Sequence, residues 1–292
     1  MTPSNDFPWA NDSPWETHAS RWQHVGAPLR PSAQDLKIVQ ETLARCADTP
    51  DTVHALLLGV TAEITALTWP SNTTLVAVDT SQAMIQRHWQ APRSIHAFPV
   101  LGRWQRMPLQ SQSIDFTIAD GSLSIQANAA ALSAVIASLA HTMRPRATFV
   151  LRAFVRPASS ETPDQVFQAM HGGQIGSFAV LKWRLLMSLH ESSNEGVPLR
   201  QVYKTFRTLA PSSQQLSKQL GWPAASIDTI ESYRGTAARY FFPTLIQLRE
   251  LLARYFDEMS CHIPSYELGH CCPTLVLSRT PHPHLLPRGR GD

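Results

Sequence analysis

Leu56-Leu57-Leu58-Gly59-Val60-Thr61-Ala62-Glu63, followed about twenty residues on by Val76-Ala77-Val78-Asp79, is the stretch whose reading decides the fold. Residues 54–58 form a short, almost wholly apolar run, as expected of a parallel strand buried on both faces. Gly59 ends it and lets the backbone pass close to a ligand, while the helix that follows aims its N–H groups at the same place. Residues 74–78 repeat the pattern and stop at Asp79. A carboxylate at the end of that second strand is placed to accept both ribose hydroxyls of an adenosine. A nicotinamide site normally shows G-x-G-x-x-G to admit a pyrophosphate, and here one glycine stands alone. An adenosine ligand without phosphates fits this turn better.

Outward from this unit the cadence of strands and helices continues. Upstream, Ser32 and Asp35 read as the cap and first turn of a helix carrying Leu36, Val39 and Leu43 on one face. Downstream, strands are expected at 94–100, 114–119 and 147–154, with helices at 81–88 and 129–143, the latter ended by Arg144-Pro145-Arg146. This implies an α/β, doubly wound, mostly parallel seven-stranded sheet, closed by a C-terminal antiparallel hairpin at 259–264 and 274–277. Beyond Pro157 strand signals fade and helical stretches at 174–190 and 199–209 take over, before a last helix opens at Pro243. The expected organisation is an arm over 1–31 (loosely ordered to residue 20), a cofactor-binding core over 32–157, a helical lid over 158–242, a return to the core over 243–280, and a disordered tail over 281–292.

Composition bounds the function. The chain has 292 residues, 43% hydrophobic and 16% charged, with a formal net charge of +3. That is a globular balance without the dense basic tract that nucleic acid requires. No run approaches a membrane span, and the first fifteen residues lack the apolar core of a signal peptide, so a soluble cytoplasmic protein is expected. Cys46, Cys261, Cys271 and Cys272 show no CxxC pair and read as reduced thiols, with no metal site.

The layout as a whole resembles the class I, Rossmann-like S-adenosylmethionine-dependent methyltransferases. Residues 57–61 stand where that family carries its first motif, and Val76-Ala77-Val78-Asp79-Thr80-Ser81-Gln82-Ala83-Met84 is similar to its second. Gly102-Arg103-Trp104-Gln105 opens the segment where the family places its adenine turn. Ile114-Asp115-Phe116 to Asp120-Gly121-Ser122 resembles the fourth motif, and Met143-Arg144-Pro145 to Leu151 the fifth-strand unit. The likeness covers residues 36–154 and resumes at 243–279. It departs from the pattern at Val60-Thr61-Ala62, where the family has a second glycine, and at Arg103, where an aspartate commonly receives the adenine amino group. Arginine cannot accept that hydrogen bond, which leaves the base to Trp104 or a backbone carbonyl.

The resemblance implies S-adenosyl-L-methionine as cofactor, held by Gly59, Thr61, Asp79, Thr80, Met84, Arg103, Trp104, Asp120, Gly121 and Ser122. Trp22 and Arg30 of the arm are further candidates, Arg30 as a bidentate partner of the methionine carboxylate. In the lid, Trp183, Tyr203, Arg234 and Tyr240 are the candidate acceptor contacts, because aromatic faces attract a sulfonium. His171, on a loop beside Gly172-Gly173, and Tyr233 are the candidate catalytic groups. The implied function is a biosynthetic methyltransferase with a small-molecule acceptor. Two alternatives stay open: an enzyme that cleaves or cyclises the cofactor's aminobutyryl chain, releasing methylthioadenosine, and a non-catalytic binding module on this fold. No nucleic-acid or membrane partner is expected, and a homodimer is left open.

Overall fold

The computed structural model describes residues 15–46, 51–210 and 212–281. The expectations for residues 1–14 and 282–292 fall outside them. β1 (Val53–Leu58) and β2 (Thr73–Asp79) pair in parallel, Leu58 opposite Val78. β3 (His96–Leu101), β4 (Ile114–Asp120) and β5 (Met143–Arg152) extend the parallel sheet, and β9 (Thr274–Arg279) and β8 (Phe256–His262) close it antiparallel. The order is β3-β2-β1-β4-β5-β9-β8, the seven-stranded doubly wound sheet expected from the sequence. The central strands β1, β2 and β4 are buried on both faces, so their apolar runs need no alternation.

α2 (Ala33–Arg45) starts where Ser32 and Asp35 exchange hydrogen bonds, a complete capping box. α2, α3 (Ala62–Thr65) and α4 (Gln82–His88) belong to one apolar layer with Val39, Leu43, Ile64 and Met84. α5 (Ala129–Thr142) and α11 (Leu245–Leu252) cover the other face through Leu132, Val135, Leu139, Leu248 and Leu252. Five helices between β5 and α11 build a separate core: α6 (Pro163–His171), α7 (Phe178–Ser188), α8 (Leu199–Leu209), α9 (Ser213–Leu220) and α10 (Ala224–Ile227). A short antiparallel pair, β6 (Val197–Pro198) with β7 (Arg239–Tyr240), ties the chain ahead of α8 to the stretch that follows α10.

Two local readings change. Residues 15–21 are not loose but form α1 (Trp15–Arg21), anchored where the ring of His88 meets the carbonyl of Ala19 at 2.8 Å. An amphipathic turn this short holds only through tertiary contacts, so its own sequence carries little signal. Residues 144–146 do not end a helix; they already lie in β5. There Arg144 donates to Asp115 of β4 at 2.6 Å, and an irregular register with Arg146 at φ +65° absorbs the change of direction.

Candidate functional site

The strand order reverses between β1 and β4, and in open α/β sheets the crevice at the carboxyl ends of those strands is where ligands bind. Gly59, Asp79 and Asp120 stand at the ends of β1, β2 and β4 and line a cavity of about 820 Å³, its open mouth included.

Gly59 has φ +93°, a conformation that residues with a Cβ rarely adopt, and a Cβ here would face the Asp79 carboxylate at 3.7 Å. The turn therefore presents bare backbone beside a carboxylate. One Asp79 oxygen accepts from the backbone N–H of Ser81 at 2.8 Å. Burial raises this carboxyl to about 6, against the pull of the Ser81 and Thr80 amides. Trp104 is fixed next to it, its indole N–H donating to the carbonyl of Val78 at 2.7 Å, so the ring is held rigidly on the cavity wall. Gly121, at φ +67°, carries the chain under Phe154, whose ring a Cβ would meet at 2.6 Å.

Asp120 is not free to titrate alone. Its carboxylate accepts from the guanidinium of Arg152, the two side chains being 6% and 3% exposed. Arg152 also donates to the carbonyl of Pro28 at 2.7 Å, which ties the arm to the sheet. Burial pushes the Asp120 carboxyl up while Arg152 pulls it down.

The second half of the cavity is aromatic. Phe154, Trp183, Tyr240, Tyr233 and His18 follow one another edge to face, with centroids 4.9, 6.0, 6.0 and 5.7 Å apart. Ser122 Oγ, Trp183 Nε1 and Tyr233 OH are buried polar atoms without a hydrogen-bond partner among the described residues, and all three residues line this cavity. Buried polar groups are normally paired, so three such atoms around one space point to a ligand there.

Of the residues singled out in the sequence, the cavity gathers Trp22, Gly59, Thr61, Asp79, Thr80, Met84, Trp104, Asp120, Gly121, Ser122, Trp183, Tyr233 and Tyr240. It does not gather the others. Arg30 is paired with Glu63 at the start of α3. Arg103 is exposed on the turn whose next residue, Trp104, reaches inward. His171 is exposed at the end of α6, with Gln219 at 3.3 Å from its Nδ1. The Tyr203 hydroxyl is directed to Glu231 at 3.4 Å, and Arg234 is exposed.

The cavity also holds residues that sequence reasoning missed: Trp15, His18, Phe154 and above all Lys182. Lys182 sits in the middle of α7, 2% exposed. A cation inside the apolar run Phe178-Ala179-Val180-Leu181-Lys182-Trp183 was the available signal, since lysine is almost never fully buried without a reason. Burial lowers its amine to about 7 and lowers His18 to about 3. Between about 7 and the ordinary 10.5, the native state therefore binds fewer protons at this site than the unfolded chain does. Stability should rise with pH across that window, by up to about 1.4 kcal/mol per unit for one proton. Urea titrations from neutral to alkaline pH should show this rise, and Lys182→Met should flatten it. An unchanged slope in the variant would place the proton elsewhere.

Among the described residues no group of three or more His, Cys, Asp or Glu is arranged to hold a metal ion, and no helix is long and apolar enough to cross a membrane. No protein-family model and no curated protein sequence matches the chain. Solved structures do. A Rhodobacter sphaeroides structure provisionally named as a Zn-dependent alcohol dehydrogenase aligns with TM-score 0.55 at 13% identity, over 90% of this chain and 98% of that one. A S-adenosylmethionine-dependent methyltransferase from Methanosarcina mazei aligns with TM-score 0.47 at 10% identity, over 81% and 96%. The 1,6-didemethyltoxoflavin-N1-methyltransferase of Burkholderia thailandensis, solved with 1,6-didemethyltoxoflavin and S-adenosylhomocysteine, aligns with TM-score 0.44 at 13%, over 84% and 78%. The likeness at 0.55 is one of fold: the chain is a seven-stranded, Rossmann-like α/β protein whose cavity opens at the switch point of its sheet.

Proposed function

We propose that this chain is a S-adenosylmethionine-dependent methyltransferase acting on a small-molecule acceptor. The observation that carries the reading is a single cavity with two unlike halves. One half is a glycine turn facing a buried carboxylate beside a fixed indole, and the other is an aromatic chamber roofed by the helical lid. The residues present fit the cofactor: bare backbone at Gly59, an acceptor at Asp79 for ribose hydroxyls, and the Trp104 face for a base. S-adenosylmethionine, when bound, supplies a methyl group activated by a sulfonium.

The chain's own residues do the rest. Asp79 orients the nucleoside, and Thr61, Thr80, Met84 and Gly121 shape the walls around it. α1 bridges the core helix α4 and the lid segment 228–233, where Arg21 donates to the carbonyl of Asp228, so arm and lid together exclude water. A dry, aromatic chamber favours a transfer in which charge disperses toward the transition state. Tyr233, whose hydroxyl burial holds well above its ordinary value, stays protonated and can hydrogen-bond the acceptor. Positioning supplies most of the acceleration in such a site.

Calorimetric titration with S-adenosylhomocysteine is the test. One-site binding is expected at neutral pH, and no heat together with no thermal upshift would sink the reading. The affinity should also fall as pH drops through about 6, where Asp79 takes up its proton and stops acting as a charged acceptor. The limiting slope is about tenfold per pH unit for one proton.

A further inference from the structure

The acceptor half of the cavity contains a buried amine with no carboxylate beside it. Lys182 Nζ makes one hydrogen bond among the described residues, to Thr229 Oγ1 at 3.2 Å, and that hydroxyl in turn donates to the carbonyl of Ser226. The rings of Tyr233 and Phe178 stand 5.4 and 5.9 Å from Nζ. No carboxylate among the described residues lies within ion-pair distance of it. The titratable groups facing it are His18 from α1, Tyr233 from the 228–233 turn and Tyr240 from β7, and burial keeps all three uncharged. The cavity's two carboxylates, Asp79 and Asp120, are at the cofactor end, and Asp120 is already engaged by Arg152.

A buried amine of this kind either takes a proton from a ligand or pairs with an anion brought by one. Carrying a ready-made ion into a dry chamber costs its full desolvation. A neutral acid entering against a neutral amine avoids that cost and forms the ion pair in place. The edge-to-face walls of Phe154, Trp183 and Tyr240 select a flat, apolar body for that acid. We propose that the acceptor is a flat molecule bearing a weakly acidic hydroxyl, a phenol or an enol, and that Lys182 Nζ takes its proton. This rests on the methyltransferase reading above.

The step balances without a further reagent. The hydroxyl proton passes to Nζ, leaving an oxyanion beside an ammonium. The acceptor oxygen then bonds to the methyl carbon as the carbon–sulfur bond breaks, its electron pair staying on sulfur. An ether, a neutral thioether and a protonated Lys182 result, and the lysine returns its proton to solvent when the product leaves. A cationic cofactor at the other end of the cavity opposes protonation of the free amine and favours ionisation of the acceptor, so both charges act in the same direction.

The test uses the full chain and its Lys182→Met variant, each saturated with S-adenosylhomocysteine and titrated with para-nitrophenol or its methyl ether, para-nitroanisole. Below the phenol's own pKa, the wild-type protein should show the phenolate absorption band on binding and the variant should not. The phenol should bind about tenfold more tightly than the ether, the scale of a hydrogen bond to a charged group, and the variant should lose that preference. Lys182→Gln gives the same reading should the methionine variant fail to bind S-adenosylhomocysteine. A wild-type protein that binds S-adenosylhomocysteine yet shows no phenolate band or no preference for the phenol overturns this inference alone, as does a band that persists in the variants. A wild-type protein that does not bind S-adenosylhomocysteine overturns the parent reading and this one with it.

Discussion

Replacing Arg152 with leucine is expected to destabilise the protein by about 3–5 kcal/mol near neutral pH, the cost of leaving one member of a buried ion pair behind. Both side chains of the pair are almost fully enclosed, and the guanidinium also serves the carbonyl of Pro28. Asp120 would then face burial without its cation and would protonate in the folded state well above its unfolded value. A carboxyl with a raised folded pKa binds more protons when native, so stability lost at neutral pH should return as pH falls through that raised value toward the ordinary carboxylate range. Urea melts of the variant at neutral and mildly acidic pH measure both effects. The double variant Arg152→Leu/Asp120→Asn should recover much of the loss, because no unpaired charge remains. If single and double variants melt together, the pair contributes little and the ends of β4 and β5 are held by packing alone.

Asp79→Ala should weaken S-adenosylhomocysteine binding by about 10- to 100-fold, the range for losing hydrogen bonds to a charged acceptor. The fold should survive, since burial already opposes the ionised carboxyl there and its removal relieves that opposition. Asp79→Asn keeps an oxygen for the Ser81 amide and should fall between wild type and alanine. Titration calorimetry beside a thermal melt separates lost affinity from lost structure. Unchanged affinity in the alanine variant would remove the ribose role from Asp79 and shift the nucleoside elsewhere in the cavity.

Much of this was legible in order along the chain. The runs 54–58 and 74–78 are strands because they are almost wholly apolar, and Gly59 and Asp79 mark their ends because those residue types suit a tight turn and a ligand-facing stop. The Ser32 capping box is equally local, made by two residues three positions apart. These signals have short range, which is why they survive in a bare sequence.

The aromatic side of the cavity was legible only in part. Trp183, Tyr233 and Tyr240 line the cavity, but Tyr203, Arg234 and His171, drawn from the same polar and aromatic pool, do not. Arg30 lies in the arm as read, yet Glu63 has its guanidinium. Residue type says what a side chain can do, not which way its helix turns.

The sequence by itself determined the strands of the sheet and the glycine and carboxylate at the ends of two of them, since unbroken apolar runs and turn chemistry act between near neighbours. Only the tertiary structure decided that Lys182 and His18, from helices far apart in the chain, share one chamber with that turn. The reason is physical: a charge is strongly desolvated only by what packs around it, and packing partners come from everywhere in the chain.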